Sequence, residues 1–440
     1  MVAVPKQSAL ARPTSLAETI FSGAAGLFFF VVVLKFGTPV ILDDKVIPPD
    51  SAVAAIYESW QLKWGYWGLA LLTVAGLAAM RWRNLDIRWP IFLPLAWLGW
   101  QFLSASTTVD RSLTAMTLGH FTACCALFYL GYFAMNGKLW PLWTGLGLAL
   151  CWLLHNGIEQ HFGGLEATRR MMAQMPVPAG LLSSDPAYQR RIASPRIYAS
   201  FPSADAFAAA IELLLPLTLM LIWTLTPKVR RPIRVVFILI LSGCALACMY
   251  WTGSKAGWLL ISALALFALA KAPVPSKLKW GCVTLVVVIG LVSFALRPAP
   301  LNDDKAKVSV TTRFAYWRGA VKITEARPLL GGGPGTFSDL YSAYKRPEDD
   351  FAKLCHNDYL EQACDSGLVG GAFFAASAFA LFFSLYRYRL HEIRCYSMEI
   401  ATSLGVLTIA LHSGVDYPLY VPALAWPTFF LAGVLIRRNC

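Results

Sequence analysis

The chain has 440 residues, 57% of them hydrophobic and only 14% charged, with a mean hydropathy of +0.54. A water-soluble domain rarely combines these values, so composition excludes an ordinary soluble enzyme and points to an integral membrane protein. A formal net charge of +13 would suggest nucleic acid in a soluble chain, but here the lysines and arginines fall in short segments between apolar runs; lipid headgroups and topology account for them, and no nucleic-acid partner is implied.

Taken in order, the N-terminal segment lacks the apolar core and small-residue cleavage site of a signal peptide, so the first hydrophobic run is expected to stay as an anchor. Crossing about 30 Å of hydrocarbon takes about 20 apolar residues. That rule places spans at 21–42, 64–80, 87–103, 113–135, 139–158, 204–225, 235–250, 257–269, 278–296, 367–386, 400–415 and 423–436. The predicted fold is all-α: one polytopic membrane helix bundle of about 12 transmembrane helices. Positive residues are retained on the cytoplasmic side. Lys6 and Arg12, then Arg81, Arg83 and Arg88, Lys138, Lys228 to Arg234, Lys271 to Lys279, Arg387 to Arg394, and Arg437 with Arg438 all fall on one face of that alternation. Both termini are therefore expected in the cytoplasm. A loop over 159–203 and a longer one over 297–366, containing short helices between the ninth and tenth spans, are expected outside.

The long loop is the longest stretch unfit for hydrocarbon. Within it, 311–326 alternates Phe314, Trp317 and Val321 with Arg313, Arg318 and Lys322, the spacing of an amphipathic helix lying along the membrane surface. The GGGPG run from Gly331 to Gly335 lacks the Lys-Ser/Thr that closes a phosphate loop and reads as an ordinary turn. His356, followed by Asn357, begins a helical stretch leading into the tenth span. Histidine can take and return a proton near neutral pH, which makes His356 the first candidate for chemistry.

Three cationic or acid-base features lie elsewhere on the outer side. Arg196, at the mouth of the sixth span, suits a phosphate through paired N–H donors, although a headgroup anchor would look the same. Lys255 lies between two closely spaced apolar runs; a charge in hydrocarbon costs about 2.5 to 3.5 kcal/mol, so it needs snorkelling or an anionic partner. His412 and Asp416, four apart at the end of the eleventh span, are expected to hydrogen-bond each other. The ten cysteines show no CxxC pair, and a disulfide between Cys355 and Cys364 is not favoured. His120, His155, His161 and His391 have no second ligand at metal spacing. Neither metal nor other cofactor is called for.

In order, RIYASFPSADAFAAAIELLLP from Arg196, TGSKAGW, RFAYWRGA, PLLGGGPGTF, HNDYLEQACDSGLVGG and HSGVDYPLY resemble the O-antigen ligase and O-antigen polymerase superfamily of bacterial envelope enzymes. The resemblance runs from about Arg196 to Ala423, and the first five spans carry no such motif. It implies a glycosyltransferase of the bacterial inner membrane that works on the periplasmic face. Such an enzyme moves a glycan from undecaprenyl diphosphate to a hydroxyl acceptor without nucleotide sugar, metal or cofactor. His356 would be the base and Arg196 and Arg313 would attend the lipid pyrophosphate, with Arg318 and Lys255 grouped beside them. Asn357, His412 and Asp416 would be supporting residues. One departure stands out: many members have Ser-Arg where this chain has Ser254 and Lys255, and lysine keeps the charge but loses two-point geometry. The partners implied are the lipid-linked donor, membrane lipids, and lipid A core as acceptor; a polymerase would instead use another lipid-linked repeat, and a third type a protein. A transporter of lipid-linked sugar would concentrate charge at midplane in broken helices, whereas the charges here concentrate in outer loops.

Overall fold

The computed structural model describes residues 15–82, 87–174, 194–271, 304–385 and 398–439, with scattered positions between 275 and 288. Among the described residues all regular structure is helical. In chain order the helices are α1 (Leu16–Lys35), α2 (Ala52–Tyr57), α3 (Leu62–Ala79), α4 (Phe92–Ala105), α5 (Arg111–Ala134), α6 (Trp140–Glu159) and α7 (Leu165–Gln174). There follow α8 (Ala204–Leu225), α9 (Arg231–Thr252), α10 (Lys255–Lys271), α11 (Asp304–Ala326), α12 (Phe337–Tyr344), α13 (Asp358–Leu385), α14 (Met398–His412) and α15 (Pro422–Asn439). Helices occupy the expected spans except the ninth, 278–296, which lies largely outside the described residues. So do Lys6, Arg12, Arg83, Arg387, Arg389, Arg394, His391, Cys282, and the stretches 175–193 and 297–303 of the two outer loops.

Among the described residues five helices are long and apolar enough to cross a membrane: Leu16–Lys35, Arg111–Ala134, Ala204–Leu225, Arg231–Thr252 and Asp358–Ser384. Their surroundings agree. α9 turns Phe237, Leu239 and Ile240 outward at 58%, 63% and 57% exposure, and α3 does the same with Leu71 and Val74. Apolar faces of this kind would drive association in water and are solvated by lipid; this is a membrane protein.

Where helices touch, small residues bring their backbones together, the mode of packing that hydrocarbon surroundings favour. A Cβ on Gly131 of α5 would fall 2.2 Å from the Phe430 carbonyl oxygen of α15, and one on Gly433 would fall 2.0 Å from that of Phe128. The same closeness joins α8 to α14, where a Cβ on Gly405 would meet the Leu213 carbonyl oxygen at 2.2 Å. That contact sets the middle of α14 against the helix that begins at Ala204.

α13 is broken in its N-terminal part. Ser366 has φ −130° and ψ 17°, and Gly367 has φ 70° and ψ −179°. The break releases two carbonyl oxygens from helical bonding, and the GGGPG turn takes them: Gly332 N–H donates to Cys364 O and Gly333 N–H to Asp365 O, both at 2.9 Å. Gly335 N–H donates to the Asp365 carboxylate at 2.7 Å, and Gly331 N–H to Arg327 O at 3.1 Å. Every N–H of the turn is thus paired inside the protein, which agrees with a structural turn. α11 contains the expected amphipathic helix but buries a different stripe. Tyr316, Ala320 and Ile323 pack with Phe337, Tyr341, Cys355 and Cys364, while Phe314 and Val321 stay exposed.

Candidate active site

His356 stands two residues before α13 with φ +56°, a left-handed conformation that a residue bearing a side chain adopts only when held there. The holding is visible on every side. Cys355 N–H donates to Glu361 Oε2 at 2.5 Å, and Trp317 Nε1–H reaches His356 O at 3.3 Å. Asn357 caps α13, its Oδ1 accepting from the N–H groups of Tyr359 and Leu360 at 3.0 and 3.1 Å, while its Nδ2 donates to Gly414 O at 2.8 Å. Asp358 Oδ2 accepts from the Ser413 hydroxyl at 2.8 Å and from Leu419 N–H at 2.9 Å. The start of α13 and the turn after α14 are therefore stitched into one unit.

That unit aims an acid at the histidine. His356 Nδ1 lies 2.8 Å from Asp416 Oδ1, with side-chain exposures of 28% and 4%. A carboxylate accepting from Nδ1–H fixes the tautomer and leaves the lone pair on Nε2, the arrangement a general base requires. The ring stacks on Tyr316 at 5.9 Å and 22° and meets Tyr417 edge-on at 4.7 Å and 68°.

The arginines come to the same neighbourhood. Arg313 is three residues before Tyr316 and four before Trp317 on α11, so it shares a helical turn with both residues that touch His356. Its Nη2 lies 3.2 Å from Asp205 Oδ2, and Arg196 Nη2 lies 2.8 Å from Asp205 Oδ1. One carboxylate in the first turn of α8 thus bridges the two guanidiniums. Arg196 Nε also donates to Thr252 O at 2.5 Å, which docks the turn before α10 on this pair. Lys255 opens α10 three residues later, exposed and without an ion-pair partner among the described residues.

Other expected members go elsewhere. Arg318, five residues past Arg313 and so about 140° round the helix, pairs with Asp349 at 2.6 Å. There it fastens the loop after α12, where burial first and Asp349 second push the Tyr341 hydroxyl up to about 12. The expected bond between His412 and Asp416 does not form. α14 ends at His412, and the two residues are joined only through Asp416 N–H to His412 O at 3.0 Å. Past the helix end their side chains no longer share a face: Asp416 takes His356, while His412 Nδ1–H donates to Glu212 Oε2 of α8 at 2.9 Å, both side chains at 0% exposure. Cys355 and Cys364 are free buried thiols, and burial pushes that of Cys355 well up.

Asp205 and Glu212 were not singled out from sequence. The signal was present: two acids seven residues apart face the same way on an otherwise apolar helix, and each needs a partner there. An apolar groove of about 480 Å³ lies between α10, α13 and α14. Tyr359, three residues after His356, lines it together with Leu264, Phe267, Phe379 and Leu404. Among the described residues no cluster of three or more His, Cys, Asp or Glu side chains is placed to hold a metal ion.

No curated protein matches the chain. Residues 237–375, the stretch that carries Lys255, Arg313, Arg318, His356 and Asn357, match the protein family described as O-antigen ligase, and over that stretch this membrane protein is similar to that family.

Proposed function

We propose that the chain is a glycosyltransferase that moves a glycan from undecaprenyl diphosphate to a hydroxyl of lipid A core on the periplasmic face of the bacterial inner membrane. The observation that carries this reading is the juxtaposition of His356, oriented by buried Asp416, with Arg196 and Arg313 gathered at Asp205. The acceptor hydroxyl gives its proton to His356 Nε2 as its oxygen bonds to the anomeric carbon. The bond from that carbon to the diphosphate oxygen breaks with its electron pair, and the diphosphate leaves as an anion. Attack from the face opposite the leaving group inverts the anomeric centre. The two arginines, with Lys255 at the rim, balance the developing charge; each charge-assisted hydrogen bond contributes roughly 1.5 to 3 kcal/mol. The apolar groove beside Tyr359 suits a polyprenyl tail.

General-base assistance contributes about 10² to 10⁴-fold. Purified chain given lipid-linked glycan and lipid A core should form the joined product, and His356→Ala should reduce that rate by an amount in this range while still binding donor. His356→Gln should not rescue it, because an amide cannot accept the proton. Turnover of His356→Gln close to wild type would reduce His356 to a positioning role. Elongated lipid-linked glycan in place of the joined product would redirect the reading to a polymerase.

A further inference from the structure

The guanidiniums of this site face an anion before any substrate arrives. Arg196 and Arg313 each give an N–H to a different oxygen of Asp205, at 2.8 and 3.2 Å. Arg196 has a separate anchor, its Nε donating to Thr252 O. The arginine side chains are 40% and 23% exposed and Asp205 is 14% exposed, so the carboxylate lies deeper than the cations it joins. Within this cluster two positive charges and one negative leave one net positive charge, to which Lys255 adds another at the rim. If alignment alone were needed, neutral carbonyls such as that of Thr252 would serve without opposing the substrate.

We propose that Asp205 is a counter-anion that keeps this site from holding diphosphate too tightly and so speeds release of the lipid diphosphate product. This rests on the donor-site reading above. Breaking the bond to the sugar leaves the product diphosphate with a terminal phosphate and more negative charge than the donor carried. An unopposed arginine pair would therefore hold product more tightly than donor, and release would limit turnover. Binding that serves both states alike does not raise turnover. A fixed carboxylate behind the cations repels both, and the more highly charged product more strongly. It also keeps the two guanidiniums at one spacing while the site is empty.

The test titrates inorganic pyrophosphate into the full-length chain in detergent, with thermal unfolding as the check on folding. Arg196→Ala is expected to weaken binding. Asp205→Asn and Asp205→Ala are expected to tighten it about tenfold, the scale of removing one like charge from a binding site, while Asp205→Glu stays near wild type. In steady-state transfer, Asp205→Asn should lower KM and kcat together, a split that loss of alignment alone would not give. If the neutral Asp205 variants bind pyrophosphate more weakly than wild type, or equally, while Arg196→Ala still weakens it, Asp205 only aligns the arginines and the proposal is overturned. If Arg196→Ala and Arg313→Ala leave pyrophosphate affinity unchanged, the donor-site reading fails and takes this proposal with it.

Discussion

At the scale of single residues, the site is a set of pairings made across long stretches of sequence. His356 was legible because a lone histidine in a polar outer segment has few bland explanations, and Arg196 and Arg313 were legible as outer cations. Their partners were not. Asp416 meets His356 and Asp205 meets Arg313 through tertiary contact, which no local spacing encodes. The one pairing read from local spacing, His412 with Asp416, fails because the helix it assumed stops at His412. The dyad itself yields a prediction. Asp416→Asn keeps an oxygen able to accept from Nδ1–H but removes the charge that favours the imidazolium formed when His356 takes a proton. Turnover should fall roughly 10 to 10²-fold with donor affinity unchanged. Residues acting as one unit are not additive, so the His356→Ala, Asp416→Asn double variant should be no slower than His356→Ala alone. A further drop in the double variant would mean that Asp416 acts apart from His356.

At the scale of elements, hydropathy placed the helices well, because a run of about 20 apolar residues has few alternatives to spanning a bilayer. What it could not show is where a span is deliberately broken. The sequence reads as a helical stretch from His356 that runs on into the span at 367–386, yet the first turns of α13 are set off by the Ser366–Gly367 break, and the glycine turn supplies N–H groups to the carbonyls that the break frees. GGGPG reads as a turn and is one, but the reason for its glycines lies in α13. At Gly331 a Cβ would fall 2.3 Å from Cys364 O. Gly367 is the sharper probe, since it combines φ +70° with a Cβ position 2.1 Å from Leu329 O. Gly367→Ala should destabilise the protein by about 2 kcal/mol or more, because both the backbone conformation and the contact oppose it. Gly23 on α1 has nothing within 4 Å of its Cβ position, so Gly23→Ala should be neutral or slightly stabilising. Thermal unfolding in detergent compares them, and equal melting temperatures would show that the break does not need its glycine. The second brace is the buried pair between Glu212 and His412, which ties α8 to α14 beside Asp416. It helps fix the two elements that carry the acidic partners of the site.

At the scale of the whole molecule, composition alone establishes the membrane class, and the order of short motifs carries the resemblance to the O-antigen ligase superfamily. The topology rests on a different kind of reasoning, the retention of lysine and arginine on the cytoplasmic side, and it can be tested independently of the chemistry. Ser342 lies exposed on α12, in the segment that must face the periplasm if His356 is to reach an acceptor there. Lys228 lies exposed in the connection between α8 and α9, among the basic residues assigned to the cytoplasm. In a cysteine-depleted background, a cysteine replacing Ser342 should react with a membrane-impermeant thiol reagent in intact cells whose outer membrane admits the reagent. One replacing Lys228 should react only after the inner membrane is opened. α8 presents Asp205 at one end and the basic connection at the other, so the Lys228 label reports the end of α8 opposite the arginine pair. A Ser342 label that needs an opened inner membrane, paired with a Lys228 label that does not, would invert the protein. It would place the arginine pair and His356 on the cytoplasmic side, where the proposed transfer could not occur.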